Sequence, residues 1–136
     1  MYGQVGYLDV GAEFRTHAEA CNLFGHSYKH FQRAVARHPA EPDCVIWFPR
    51  FYENTDWETK PVDRETISER RKVRNDVYVE ECLQRPELFS RLVFAAIKPG
   101  FYRFQGKFEI DPKESKRASA IIYRRKASRV KTYARR

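Results

Sequence analysis

Residues 87–111 read ELFSRLVFAAIKPGFYRFQGKFEID. An apolar stretch runs into the turn pair Pro99-Gly100, and a second stretch rich in Phe and Tyr returns from it. This is the signature of a β-hairpin, and the clearest element of the chain. Downstream, PKESKRAS (112–119) predicts a short helix opened by Asp111 and Pro112, and AIIYRRKASRVKTY (120–133) predicts a strand or a strand pair. Upstream, CVIWFPRFY (44–52) is a short apolar strand whose Pro49 implies an edge or a bulge. YGQVGYLDV (2–10) reads as a first strand. RTHAEACNLFG (15–25) carries Thr16 as a cap, Glu19 in capping-box position and Gly25 as a stop, which predicts a helix of about two to three turns. SYKHFQRAVARHP (27–39) has Tyr28, Phe31 and Val35 at helical spacing and predicts a second helix. ENTDWETKPVD (53–63) reads as a polar loop. In residues 64–86 the first half is helix or solvated loop, and the second half is ambiguous between helix and strand. The expected fold is one α+β domain over residues 1–136, a mainly antiparallel, barrel-like sheet with N-terminal helices.

The totals agree with a single folded domain. At 136 residues, 42% hydrophobic and 15% aromatic, the chain can bury a core without disulfides. No apolar run approaches the ~18 residues of a membrane span, and the N-terminus does not resemble a signal peptide. Three cysteines without a CxxC pair fit a reducing interior, so the expected setting is cytoplasmic.

Charge is distributed unevenly. Ten of the last 25 residues are basic and only Glu114 is acidic, so this segment carries +9 of a net +8 and the rest of the chain about −1. Apolar Ile121, Ile122, Tyr123, Val130 and Tyr133 are interleaved with the cations. A free polybasic tail needs no such residues, whereas a sheet does. The basic side chains are therefore expected to project from a folded surface, with only Ala134 to Arg136 loose. Arg124, Arg125, Lys126, Arg129 and Lys131 are the candidate phosphate ligands, because clustered Lys and Arg are the main source of affinity for nucleic acid. A solvated strand face without a ligand is the plain alternative.

A second constellation is aromatic. Trp47, Phe48, Phe51, Tyr52 and Trp57 fall within eleven residues. Alternation puts Trp47 and Phe48 on opposite faces. Trp57 stands between Asp56 and Glu58 with no apolar neighbour in sequence. A ring in that position, beside Asp56 and Asn54, supplies a stacking face and groups for a base edge. Trp57, with Trp47 or Tyr52, is the candidate stacking set, and Asp56 and Asn54 the candidate edge readers. Trp57 as a lid over the core is the competing reading.

The segments LVFAAIK, FYRFQGKFEID and IIYRRKASRVKTY, with a weaker echo in VIWFPRFY…W, resemble the terminal segments of small β-barrel modules of bacterial restriction and defence proteins. These modules are similar to the PUA superfamily, including the SRA, EVE and YTH domains that hold a flipped or modified base in an aromatic pocket. The resemblance implies a non-catalytic reader of bases in nucleic acid, DNA before RNA, usually joined to a nuclease or helicase domain or subunit. It also implies that the chain can be a domain of a longer protein. Separately, the lack of a membrane-length apolar run predicts no membrane partner, and no cofactor is expected.

Two enzymatic readings compete. Pro42-Asp43 with Glu58 and Lys60 matches the PD…(D/E)xK pattern of Mg²⁺ nucleases, with Asp43 and Glu58 as metal ligands and Lys60 assisting water. His17, Cys21, His26 and His30, at intervals of four, five and four, invite a zinc reading. Gly25 interrupts that set and no CxxC knuckle accompanies it, so no metal is expected there. An RNA-binding factor shares the charge logic of the leading reading.

Overall fold

A computed structural model describes all residues, Met1–Arg136. Ten strands and three helices follow one another: β1 Tyr2–Asp9, β2 Glu13–Phe14, α1 His17–Asn22, β3 Val35–Arg37, β4 Cys44–Trp47, β5 Trp57–Asp63, β6 Thr66–Arg71, α2 Asn75–Leu83, β7 Ser90–Lys98, β8 Phe101–Ile110, α3 Pro112–Ala118, β9 Ile121–Ala127 and β10 Arg129–Arg135. The main sheet has the order β3-β4-β7-β8-β9-β6-β5, with β2 added on β8, while β1 and β10 form a separate ribbon. All pairs are antiparallel except β4–β7. The sheet is open, with β3 and β5 as its edges. The expected α+β, mainly antiparallel architecture is present, and the predicted hairpin is its centre.

That hairpin serves two cores. Along β7, Leu92 and Phe94 enter a first core with Phe24, Ile46 and Phe104. Val93 faces the other way, into a second core with Trp47, Phe108, Ile121 and Tyr123. On β8, Phe104 and Phe108 have the same parity, and a regular strand would put them on one face. A bulge separates them: Phe94 pairs with Phe104, but Val93 pairs with Gly106, so Gln105 is skipped. Gly106 carries the bulge at φ +114°, and a Cβ there would lie 2.5 Å from the Ala127 carbonyl oxygen.

Local signals explain the helix caps. The Thr16 hydroxyl accepts from the Glu19 amide at 3.1 Å, while the Glu19 carboxylate accepts from the Arg15 amide at 3.1 Å. The Asp111 carboxylate accepts from the Glu114 amide at 3.0 Å and opens α3 with Pro112 behind it. Residues 75–83, left ambiguous by the sequence, are the helix α2.

Five expectations are corrected. Residues 27–39 do not form a helix. Asn22 holds the Tyr28 backbone at both ends, accepting from its amide at 2.8 Å and donating to its carbonyl at 2.9 Å. Tyr28 stacks on His26 and on Phe31 at 4.3 and 4.6 Å, which satisfies the rings in an open loop. Residues 57–63 are not loop but an edge strand, paired only with β6, where Pro61 leaves no interior ladder bond unmade. Residues 66–71 are a strand as well, burying Thr66, Ile67 and Glu69. The terminus is not loose, since Ala134 pairs with Gly3, Arg135 with Tyr2, and the Arg136 amide donates to the Met1 carbonyl at 2.8 Å. The expected edge or bulge at Pro49 resolves differently again: β4 lies inside the sheet and ends at Trp47, before the proline.

If the bulge is what permits two cores, Gly106→Ala should cost more than Gly100→Ala. Both sites have positive φ, but nothing lies within 4 Å of a Cβ at Gly100. The expected losses in urea unfolding are about 1–2 kcal/mol for Gly100→Ala from the left-handed backbone alone, and more for Gly106→Ala. Equal losses would mean that the contact with Ala127 is relieved at no cost.

Candidate nucleic-acid interface

The gap between the sheet edges is a cavity of about 590 Å³. One wall comes from the end of β4 and the turn after it, with Trp47, Phe48 and Arg50. The opposite wall comes from β5, with Trp57 and Thr59, and α2 adds Tyr78. The curl that brings these edges together leaves the barrel unclosed at this point.

The loop before β5 is fixed locally. The Asn54 carboxamide oxygen accepts from the Asp56 amide at 3.0 Å, an Asx turn. The Asp56 carbonyl accepts from the Lys72 amide at 2.9 Å. These bonds deliver Trp57 to the cavity with its ring edge-on to Tyr78 at 4.7 Å and the Arg71 guanidinium 5.8 Å from its centre. Trp57 is half-buried, whereas Trp47 is 4% exposed and packs on Tyr123.

A carboxyl group lies in the same cavity. Glu69 is 6% exposed, and its oxygens accept from the Thr59 hydroxyl at 3.0 Å and from the Tyr78 hydroxyl at 2.5 Å. Burial raises its pKa above the ordinary carboxyl range, against the Tyr78 bond and the nearby Arg91, which favour the charged form. Arg91 is itself buried, lies over the Trp47 and Tyr123 rings at 4.9 and 5.3 Å, and donates to the Leu88 carbonyl at 3.0 Å. A slot with aromatic walls and one buried, hydrogen-bonded carboxyl can stack a planar ring and bond the polar edge of that ring.

Four of the five proposed base contacts, Trp47, Asn54, Asp56 and Trp57, line this cavity. Tyr52 does not, and faces a neighbouring one. The C-terminal cations lie elsewhere. Arg124 pairs with Thr66, while Trp57 pairs with Arg71 at the other end of β6, a separation of roughly 16 Å at ~3.3 Å per strand residue. Arg124, Arg125 and Arg129 are ion-paired with Asp111, Glu65 and Asp9 at 3.5, 3.6 and 2.8 Å. Lys126 and Lys131 are exposed and make no ion pair.

Of the nuclease pattern, Glu58 and Lys60 share the outer side of β5 and pair with each other at 3.5 Å, while Asp43 sits in an exposed turn before β4. The histidine and cysteine set is dispersed in its bonding. His17 Nδ1 meets the Arg33 carbonyl at 2.9 Å, His26 Nε2 meets the Arg37 carbonyl at 2.7 Å, and Cys21 is fully buried. No three His, Cys, Asp or Glu side chains form a group that could hold a metal ion. No helix is long and apolar enough to cross a membrane.

Sequence reasoning missed Glu69, Tyr78 and Arg91. One signal was available for Glu69: it is two residues from Ile67, on the inward side of an alternating strand.

An aromatic cavity with a buried carboxyl opens in the gap of a curled, mainly antiparallel sheet. Residues 2–132 match the SET and RING associated (SRA) domain, and the chain belongs to that family. Among solved structures it is similar to the 5-hydroxymethylcytosine-specific restriction enzyme AbaSI, with a TM-score of 0.80 and 33% identity over 96% of this chain. The chain spans 44% of the length of that enzyme's chain. No curated protein matches it.

Glu69 gives a signed test of its burial. A raised folded-state pKa means stability that is complete below the unfolded value, ~4.3, and lost as pH rises from there through the folded value. Glu69→Gln keeps partners for Thr59 and Tyr78 and does not ionise. Its stability relative to wild type should therefore increase from pH 4 to pH 8 in urea titrations. A difference that stays flat would place Glu69 among ordinary solvated carboxylates.

Proposed function

We propose that this domain takes a 5-substituted cytosine of the hydroxymethyl class out of the DNA stack and holds it in the cavity between β4 and β5. The observation that carries the reading is Glu69, a buried carboxyl in a slot with two tryptophans on its walls. Trp57 supplies the stacking face. Glu69 meets the Watson–Crick edge, accepting from the exocyclic amino group or, when protonated, donating to a ring nitrogen. Asn54 and Asp56 sit nearer the mouth. Extruding a base costs a few kcal/mol, and stacking on an aromatic ring returns roughly 1–3 kcal/mol.

Phosphate contacts supply the remainder. Of the five candidate phosphate ligands, Lys126 and Lys131 make no ion pair, and Arg124, Arg125 and Arg129 would have to exchange a carboxylate for a phosphate. Because that group lies past the far end of β6, it meets DNA away from the extruded base. The similarity to a restriction enzyme of more than twice this length supports a role as the base-reading part of an assembly, joined to a nuclease or helicase. Three unpaired cysteines support a reducing, cytoplasmic setting.

Two measurements test this. Matched duplexes carrying cytosine, 5-methylcytosine or 5-hydroxymethylcytosine should be discriminated by wild type. Trp57→Ala should lose one to two decades of that preference while keeping its salt slope and melting close to wild type, since the ring is half-buried on an edge strand. A large drop in melting temperature with equal loss on every duplex would make Trp57 structural. Independently, Lys126→Glu with Lys131→Glu should weaken all duplexes together and reduce the slope of log affinity against log salt by about 0.9 per lost contact. An unchanged slope would leave these lysines a solvated face.

A further inference from the structure

Behind Phe48 and Arg50 lies a second cavity, of about 420 Å³. It shares Ala34, Phe48 and Arg50 with the first, so the two are separated by a single wall. Their linings differ in charge. The first holds Asp56, Glu69 and Glu81 against three arginines. The second is lined by Arg15, Lys29 and Arg50 with the imidazoles of His17 and His30, and by no carboxylate.

The cations there are unspent. Arg15, Lys29 and Arg50 make no ion pair. Arg15 rests over the Phe101 ring at 5.4 Å and Arg50 beside the Tyr52 ring at 5.9 Å. The carboxylates of the preceding segment are taken: Glu13 by Arg103 at 3.0 Å, and Glu19 by the cap of α1. The wall behind them is stiff. His17 stacks flat on Phe48 at 3.9 Å, Tyr102 stands edge-on to both rings at 4.8 and 5.8 Å, and the Arg33 carbonyl holds the imidazole. Burial lowers the pKa of His17, so the wall stays neutral near pH 7 and the positive charge sits at the exposed rim.

Three cations facing one cavity repel each other unless an anion joins them. We infer that this cavity holds a phosphodiester of the DNA strand whose base enters the first cavity, one nucleotide removed from that base. The common wall accounts for the assignment: a strand that places its base against Trp57 and Glu69 continues across Phe48 and Arg50. Arg50 then bridges the two cavities, Arg15 and Lys29 close on the phosphate oxygens, and Tyr52 is left beside the sugar. This assignment rests on the base-reading function proposed above.

The test neutralises the phosphates one at a time. In duplexes with one central 5-hydroxymethylcytosine, methylphosphonates replace single phosphates on either side of the modified base. Affinity is read by fluorescence anisotropy for wild type and for the double variant Arg15→Gln, Lys29→Gln, which changes only exposed side chains. Wild type should lose about tenfold at one neighbouring position, the scale of a hydrogen bond between charged groups. The double variant should lose about that much on the native duplex and show no further loss at the same methylphosphonate. Its preference for the modified base should persist. A double variant with wild-type affinity and wild-type sensitivity at every position overturns the phosphate assignment. Failure of the base reading looks different: wild type itself would show no preference between modified and plain duplexes.

Discussion

One backbone position lets a single hairpin organise the molecule. At Gly106 the strand β8 comes so close to the Ala127 carbonyl that no side chain fits, and the backbone takes a positive φ. The bulge inverts the strand's inward face between Phe104 and Phe108, so its first half packs with Phe94 and its second with Trp47 and Tyr123. A regular strand would have committed both phenylalanines to one side and left the other core unfilled. The same inversion increases local twist, which suits a sheet that must curl far enough for its edges to line one cavity without pairing.

From this constraint the chemistry of the cavity follows. One of its walls is the edge strand β5, and an edge strand carries few inward side chains. On β5 only Thr59 is buried, and its hydroxyl is bound by Glu69 from the neighbouring strand. Glu69 keeps a raised pKa because burial outweighs two hydrogen bonds and the nearby Arg91. A carboxyl held so has both oxygens oriented in advance. For the base reading proposed above, preorganised polar groups are what give discrimination, since a wrong edge leaves them unpaired.

How far the sequence disclosed this depends on where each signal came from. The hairpin, the Thr16 and Asp111 caps and the C-terminal strands were legible because their causes are local: alternation, a turn pair, a cap three residues from its partner. Trp57 was also legible, through its lack of any apolar neighbour. Its strand was not, because the outward residues Glu58, Lys60 and Asp63 make an edge look like a loop. The spacing of Tyr28, Phe31 and Val35 suggested a helix because ring stacking in a loop can mimic helical periodicity. Glu69 stayed hidden for a different reason. Its partners Thr59 and Tyr78 stand ten and nine residues away on other elements, and the parallel β4–β7 pair that supplies Trp47 has no sequence signature at all.

Charge shows the same dependence on fold. In sequence the C-terminal segment is the basic region, yet four of its ten cations are ion-paired: Arg117 with Glu114, Arg124 with Asp111, Arg125 with Glu65 and Arg129 with Asp9. Three of those four carboxylates come from residues 9–111, the part of the chain with almost no net charge. That part in turn leaves Arg15, Lys29 and Arg50 without partners around one cavity. A phosphate arriving at the C-terminal arginines must displace a carboxylate, so the gain is the difference between two similar bonds. At the second cavity nothing is displaced except water and counterions, and the release of counterions is itself favourable. Cations without carboxylate partners beside a neutral aromatic wall would thus bind a phosphate more effectively, per charge, than the four ion-paired arginines of the terminal segment.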